Sequence, residues 1–205
     1  MATRASTEKK LLDAAEHLLF TRGIAATPVD EVLALAGVSP ATLYRAYGSK
    51  DGLLAAALER RHDEWVATWE AAVAAATTDT DRLLAVFDAL DTFRTRPGAA
   101  RWCAFLGTAA EYVDPPPPLA VAVARDTTTL RATLRRLAVP VVGEAGADAL
   151  AEALLLVVSG ELAMRLRDTA HEGDGGDGGD GGGTPSVRRD ARAVAAALVD
   201  HCRVK

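Results

Sequence analysis

The stretch PVDEVLALAGVSPATLYRAYGSK, residues 28–50, constrains the fold more than any other part of this 205-residue chain. Apolar residues recur at helical spacing over residues 29–36 and stop at Gly37. Glycine tolerates the left-handed backbone that a sharp turn after a helix needs. Ser39 is a good N-cap, and Pro40 suits the first helical position because its missing N–H would be unpaired there anyway. The pattern therefore predicts two short helices joined by a tight turn, a helix-turn-helix.

The second of these helices is predicted to have one inward residue and a polar outer face. Leu43 is expected to point inward, which leaves Thr42, Tyr44 and Arg45 on the other side. A short helix with hydroxyls and a guanidinium on its face fits the major groove of DNA, where hydrogen bonds read base edges. Lys50 follows at the start of a new helix, which is a natural place for a phosphate contact.

Many short segments along the N-terminal quarter of the chain match one known family at the same time. They are Ala14-Ala15, Leu18-Leu19-Phe20, Gly23-Ile24, Thr27, Ala36-Gly37-Val38-Ser39, Thr42-Leu43-Tyr44 and Lys50 with Leu53-Leu54. Through these segments, residues 11–54 resemble the N-terminal domain of the TetR family of bacterial transcriptional repressors. The sequence departs from the family at Pro40, where glycine or a basic residue is frequent, and at Tyr47, where phenylalanine is common.

The residues predicted to contact DNA surround the second helix of the motif. They are Thr27, Ser39, Pro40, Ala41, Thr42, Tyr44, Arg45, Tyr47 and Lys50. Arg45 is predicted to contact a base, ideally as a bidentate donor to guanine, and Thr42 a base or a phosphate. Tyr44, Tyr47 and Lys50 are predicted to hold phosphates and to set the register on the duplex.

Two members of this set have a second interpretation. In the resembled family the threonine that matches Thr27, or its backbone N–H, touches a phosphate, and a plain cap at the start of a helix is compatible with that role. Tyr47 could instead pack between the first and fourth helices, since tyrosine often occupies half-buried positions. Both interpretations stay open on the sequence alone.

The charge distribution predicts a local DNA-binding patch. The formal net charge of the chain is −5. Seven basic and seven acidic residues cancel within the first 60 positions, so the remainder of the chain carries the whole excess. An acidic body discourages wrapping along a duplex, and affinity must therefore come from a few side chains.

Beyond residue 48 the pattern is almost entirely helical. Hydrophobic residues make up 49% of the chain and aromatic residues only 5%, so alanine and leucine must fill most of the interior, which suits packed helices. We predict an all-α fold of about nine helices in two domains. These are a three-helix, helix-turn-helix domain over residues 1–48 and a helical ligand-binding and dimerisation bundle over residues 49–205. A long helix, predicted over residues 49–76, would join them.

Two C-terminal helices are predicted to pair with a second copy of the chain. Residues 147–168 are apolar nearly all round, which indicates burial on more than one side. Residues 187–203 are amphipathic and could complete half of an intersubunit four-helix bundle. The residues that make this helix amphipathic are Val187, Val194, Ala197, Leu198 and His201. The resemblance to TetR proteins implies the same homodimer.

A Gly/Asp-rich segment, GDGGDGGDGGG, separates these two helices within a loop predicted over residues 171–186. Such a run cannot bury enough apolar surface to offset its chain entropy, so the loop is predicted to be flexible. Its repetition has some similarity to calcium-binding turns, but the apolar residue of those repeats is missing. A flexible loop is therefore favoured over a calcium site.

Aromatic residues and leucines of the predicted bundle are candidates for an effector pocket. The set is Trp65, Trp69, Phe87, Leu90, Trp102, Phe105, Leu106 and Leu130. If these side chains converge, they line an apolar, aromatic pocket for a small effector. Aromatic stripes at helical spacing are also typical of an ordinary core, and both interpretations stay open.

These observations favour a ligand-responsive DNA-binding repressor, released from a palindromic operator by a small apolar or aromatic effector. The second hypothesis is a helical small-molecule-binding protein or enzyme whose DNA-binding head is non-functional. An enzyme is not expected, because the sequence contains no HExxH, no GxSxG and no glycine-rich phosphate loop after a strand. The four histidines lack metal-ligand spacing, so neither a metal nor another cofactor is predicted.

The cysteines and the hydropathy pattern predict a cytoplasmic location. Cys103 and Cys202 are far apart and have no CxxC spacing, which favours two buried thiols over a redox switch. No signal peptide precedes the first predicted helix. No apolar run reaches membrane-spanning length without charges, so a soluble protein is expected.

Overall fold

The computed structural model describes residues 2–96, 102–171 and 190–203. Within these ranges the chain forms eight helical spans and no strand, which confirms the all-α prediction. The spans are α1 (Ala2–Arg22), α2 (Val29–Ala36), α3 (Pro40–Tyr47), α4 (Lys50–Ala75), α5 (Asp79–Thr95), α6 (Ala104–Glu111), α7 (Pro117–His171) and α8 (Ala191–Arg203).

The span α7 consists of two helices that fold back on each other. Gly143 has φ 76° and ψ 168°, outside the helical region. Arg131 bonds to Glu152, and Arg135 bonds to Asp148 at 2.6 Å. Partners 21 and 13 residues apart would be separated by roughly 30 and 20 Å in a straight helix, so these ion pairs require a hairpin. With α7 counted as two helices, the described chain has nine helical segments, and about nine were predicted.

The chain divides into two compact units. The first comprises residues 1–71 and 89–129, and the second comprises residues 72–88 and 130–205. The first unit is larger than the predicted DNA-binding domain because α4 shares one hydrophobic core with the helix-turn-helix. The functional division after residue 48 stays a prediction.

One hydrophobic core fills the first unit. Its largest fully buried side chains come from α1, α3, α4 and the start of α7: Leu11, Leu19, Phe20, Leu43, Leu53, Leu54, Leu58 and Leu119. A helix of eight residues is not stable in isolation, so burial of its apolar face against α1 and α4 must supply most of the stability of α3. The core thereby determines which face of α3 points outward.

In the second unit, α8 buries one face within its own chain and leaves another exposed. Its inward residues are Ala195 and Val199, which lie four positions apart and are fully buried. Val194 is 55% exposed and Ala197 is exposed, so the pairing of these residues with a second copy of the chain stays a prediction. Alanine occupies several faces of this helix, and the sequence pattern therefore does not distinguish the inner face from the outer one. Val187 lies outside the described residues.

Two further predictions concern the chain as a whole. Residue 171 ends α7, and the rest of the predicted Gly/Asp loop, residues 172–186, lies outside the described residues. Among the helices that are described, none combines the length and the hydropathy that a membrane span requires.

The backbone of Gly143 provides a test of the α7 hairpin. Gly143→Ala should lower the free energy of unfolding by about 1–3 kcal/mol, because a Cβ disfavours the φ and ψ found there. Urea unfolding followed by circular dichroism measures the loss. Ala145→Ser, at an exposed helical position two residues on, is the control and should cost only about 0.5 kcal/mol. Equal losses in the two variants would contradict the backbone described for Gly143.

Candidate nucleic-acid interface

The turn between α2 and α3 has the geometry predicted from the sequence. Gly37 follows α2 in the left-handed conformation, with φ 65° and ψ 40°, and Val38 N–H donates to the Leu33 carbonyl at 3.2 Å. Ser39 occupies the N-cap position of α3, and its carbonyl accepts a 3.0 Å bond from Thr42 N–H. The Ser39 hydroxyl makes no backbone cap; it lies 3.0 Å from Thr42 Oγ1 instead.

The outer face of α3 is open. Leu43 is fully buried and holds the helix against the core, whereas Tyr44 is 52% exposed. Arg45 is exposed and forms no salt bridge with any described residue, so its guanidinium is available to a base or a phosphate. Thr42 is half-buried at the edge of this face. The residues around the start of α3 are exposed as well: Ser39, Pro40 and Ala41.

Tyr47 and Lys50 lie at the border of this face and are less available. Tyr47 is half-buried and packs against the hydrophobic core, which supports the packing interpretation. Burial, together with the charge of Glu8, raises the pKa of its hydroxyl. Lys50 is also half-buried, and its Nζ donates to the Ile24 carbonyl at 2.5 Å. Any phosphate contact by Lys50 would have to use its remaining N–H donors.

Thr27 does not occupy the position predicted for a cap. Pro28 is the N-cap of α2, and Thr27 is fully buried. The Thr27 hydroxyl points back towards α1 and donates to the Gly23 carbonyl at 2.8 Å. This geometry corrects the capping prediction, while a phosphate contact through the Thr27 backbone N–H stays a prediction.

The turn between α1 and α2 is held by Glu111, a residue to which the sequence pattern assigned no such role. The Glu111 carboxylate at the end of α6 accepts bonds from Ile24 N–H at 3.0 Å and Ala25 N–H at 2.7 Å. Next to it, the Tyr112 hydroxyl donates to Asp51 at 2.7 Å. Burial, followed by this bond to Asp51, raises the pKa of Tyr112. These partners lie far apart in the chain, so no local pattern reveals them.

Ion pairs engage several basic side chains near α3 but not Arg45. Carboxylates lie within 2.7 Å of Lys9, Arg22 and Arg60. Arg45, by contrast, keeps its charge unpaired within the described residues. A local DNA-binding patch around Arg45 stays a prediction.

A groove of about 180 Å³ runs beside α3, between it and α1. Its lining residues are Thr7, Glu8, Leu11, Thr42, Arg45 and Ala46. None of the predicted effector residues is among them. The groove therefore borders the face of α3 predicted to contact DNA and is a different place from the predicted effector pocket.

The predicted effector residues are divided between the two units. Trp65, Trp69, Leu90, Trp102, Phe105 and Leu106 belong to the first unit, and Phe87 and Leu130 to the second. Within the first unit, Trp65 stacks on Trp69 with ring centroids 5.6 Å apart. Most of the set is buried, and Trp102, Leu106 and Leu130 are half-buried. In the part of the chain that is described, no group of three or more His, Cys, Asp or Glu side chains is placed to hold a metal ion.

Comparison with known proteins agrees with this architecture. Residues 11–57 match the family model described as bacterial regulatory proteins, tetR family. A TetR-family transcriptional regulator from Streptomyces coelicolor has 24% sequence identity and a TM-score of 0.78, over 97% of each chain. A protein from Streptomyces avermitilis described as a TetR transcriptional regulator has 25% identity and a TM-score of 0.72, over 96% of this chain and 97% of that one. A TetR transcriptional regulator from Chloroflexus aurantiacus has 20% identity and a TM-score of 0.68, over 100% and 96%. None of the curated proteins compared matches the chain.

The domain match and the helical fold shared along the chain support the class of DNA-binding transcriptional regulator. Residues 11–57 carry the N-terminal domain of the tetR family of bacterial regulatory proteins, and the chain as a whole has the fold of the TetR-family structures compared with it.

The Glu111 contacts can be tested by amide hydrogen exchange. Glu111→Ala should speed exchange at Ile24 and Ala25, because it removes the acceptor of both N–H groups. The free energy of unfolding should fall by about 1–2 kcal/mol, a usual range for such bonds. Asp114→Ala removes an exposed carboxylate three residues on and should change neither quantity. Unchanged protection at both amides in Glu111→Ala would rule out the contact.

Proposed function

We propose that this regulator is a repressor that binds a palindromic operator as a homodimer and leaves it when a small apolar or aromatic effector binds. The open outer face of α3 is the observation that carries the proposal. This face is exposed because the opposite side of the helix, centred on Leu43, is fully buried in the core. DNA contact by this face requires no rearrangement of α3.

Within this face each side chain has a distinct role in our proposal. Arg45 contacts a base, because its guanidinium is exposed and has no carboxylate partner among the described residues. Thr42 and Ser39, whose hydroxyl oxygens are 3.0 Å apart, share contacts to a base edge or a phosphate. Tyr44 donates to a phosphate. Pro40 and Ala41 allow close approach, and Tyr47 and Lys50 add phosphate contacts at the border.

The homodimer is proposed on the basis of an apolar, unpaired surface in the second unit. Leu156 is 72% exposed on the second half of α7, and the small residues Ser159 and Gly160 beside it are exposed too. On α8, Val194 is 55% exposed and Ala197 lies on the same side. Small residues let two helices approach closely, and a second copy would cover both patches at once. Dimer symmetry would then match the symmetry of a palindromic operator.

Effector control is proposed through α4, which extends from the helix-turn-helix into the predicted pocket. Its N-terminal part packs under α3, and further along it carries Trp65 and Trp69. An effector that contacts these residues acts on the same helix that supports the DNA-contacting face. For release, it must bind the DNA-free state more tightly than the DNA-bound state, and a few kcal/mol suffice.

The DNA-binding part is tested with Arg45→Ala. After the operator is selected from random DNA, Arg45→Ala should lose about 1–3 kcal/mol of binding and relax the preference at one base position in each half-site. Arg136→Ala, which removes one exposed arginine from the second unit, controls for the loss of charge and should leave that preference intact.

Two results would decide against this part of the proposal. If the wild-type protein selects no DNA sequence, the hypothesis of a non-functional head replaces the repressor. If Arg45→Ala binds every site variant as the wild type does, another residue reads the bases.

The dimer surface is tested with Leu156→Glu. A buried, unpaired carboxylate at a subunit interface is costly, so this variant should dissociate to monomers at micromolar concentration while it keeps its helical content. Analytical ultracentrifugation gives the mass. Val113→Glu, at a fully exposed apolar residue in the first unit, is the matched control and should remain dimeric. A Leu156→Glu variant that stays dimeric would place the interface elsewhere.

A further inference from the structure

Arg61 is a cation buried in the first unit without a close counter-charge. It is 5% exposed, and its salt-bridge contact, Glu16 Oε2, is 3.9 Å from Nη1. The other Glu16 oxygen accepts a 2.6 Å bond from Arg60 Nε, so this carboxylate is already committed to Arg60. Nη1 of Arg61 donates no hydrogen bond to any described residue. A guanidinium can only donate hydrogen bonds, and a buried charge is costly without a hydrogen-bonded partner. Arg61 therefore needs a hydrogen-bond acceptor.

Aromatic rings surround this cation. The Arg61 guanidinium carbon lies 4.9 Å from the ring centroid of Phe93 and 5.5 Å from that of Phe20. Trp65 meets Phe93 edge to face at 5.6 Å and stacks on Trp69. Trp69 Nε1 is a second buried donor without a partner among the described residues, and Trp69 itself is 2% exposed. Residues 61, 65 and 69 are spaced by four, so these groups share one face of α4.

A second arginine adds to the excess of positive charge. The Arg96 guanidinium carbon lies 3.5 Å from the centroid of Phe93, and its Nη1 is 2.8 Å from Glu64. Burial, together with the charge of Arg96, lowers the pKa of Arg61. Glu64 is engaged by Arg96, just as Glu16 is engaged by Arg60. Both carboxylates near Arg61 therefore already have closer partners.

We infer that this face of α4 binds a planar aromatic carboxylate. A carboxylate supplies acceptors for Arg61 Nη1 and Trp69 Nε1, which can only donate. A flat ring matches the aromatic surfaces of Phe93 and Trp65. A metal cation is disfavoured by the two arginines, and a neutral hydrocarbon leaves both donors unpaired. The inference rests on the proposed function only for its regulatory consequence, since binding can be measured without DNA.

The ligand class is tested with 1-naphthoate and its neutral analogue 1-naphthamide, on the full-length protein without DNA. Isothermal titration calorimetry should show that naphthoate binds about tenfold or more tightly than naphthamide, because charge-assisted hydrogen bonds are the stronger ones. Binding of neither compound, or equal affinity for both, would overturn the inference.

Two neighbouring arginines on α4 give a matched pair of variants. Arg61→Met should abolish the preference for naphthoate and leave the melting temperature unchanged or higher, because an apolar residue replaces a poorly paired buried charge. Arg60→Met should keep the preference and lower the melting temperature, since it breaks contacts with Asp13 and Glu16. If Arg61 had a purely structural role, its variant would melt lower and keep the naphthoate preference, and the inference would fail.

A third variant keeps the test decisive if Arg61→Met does not fold. Trp69→Phe retains an aromatic ring and removes the Nε1 donor, so naphthoate affinity should fall about three- to tenfold. Unchanged naphthoate affinity in Trp69→Phe would count against the site.

A DNA-release assay separates this inference from the proposed function. If naphthoate binds through Arg61 but does not release the protein from its operator, the carboxylate site is supported. The proposal that this site controls DNA release is then contradicted. If a neutral effector releases DNA and naphthoate shows no preferential binding, repression stands and the carboxylate inference falls.

Discussion

The turn between α1 and α2 depends on charged side chains that come from other parts of the chain. The N–H of Ile24 is bound by the Glu111 carboxylate, and its carbonyl is bound by the Lys50 ammonium. The neighbouring N–H of Ala25 is bound by Glu111 as well. One peptide segment is thus held from both sides by opposite charges, which determines the direction in which α2 leaves α1. The position of α3 follows, because the next turn is short and rigid.

The outer face of α3 is exposed because the opposite side of the helix is buried in the core. Helix α3 has only eight residues, and its polar outer side contributes little to its stability. Leu43 and the leucines of α4 supply the burial that keeps the helix formed. Arg45 can therefore remain unpaired at the surface, where the large desolvation cost of an unpaired charge does not arise.

Arg61 differs from Arg45 because its charge is buried in the core. Many other arginines of the described chain have a carboxylate close by, as between the two halves of α7, where Arg135 bonds to Asp148 and Glu144. At Arg61 a buried guanidinium is 3.9 Å from its salt-bridge contact Glu16 and lies near the rings of Phe20 and Phe93. A charge in that environment lowers stability relative to an apolar residue of similar size. Groups that weaken a fold in this way are commonly found where a protein binds a ligand.

The local pattern of residues 28–50 was sufficient to predict two helices, the glycine turn and the exposed residues of α3, because turn conformation and helix boundaries depend on residues a few positions apart. The all-helical class followed from composition and periodicity for the same reason. Long-range packing decided that Tyr47 packs on the core, that α8 buries Ala195 and Val199, and that Glu111 holds the first turn. Those outcomes depend on partners many residues distant and on a choice between similar alanine-rich faces. Neither the distant partners nor this choice of face can be predicted from the order of neighbouring residues.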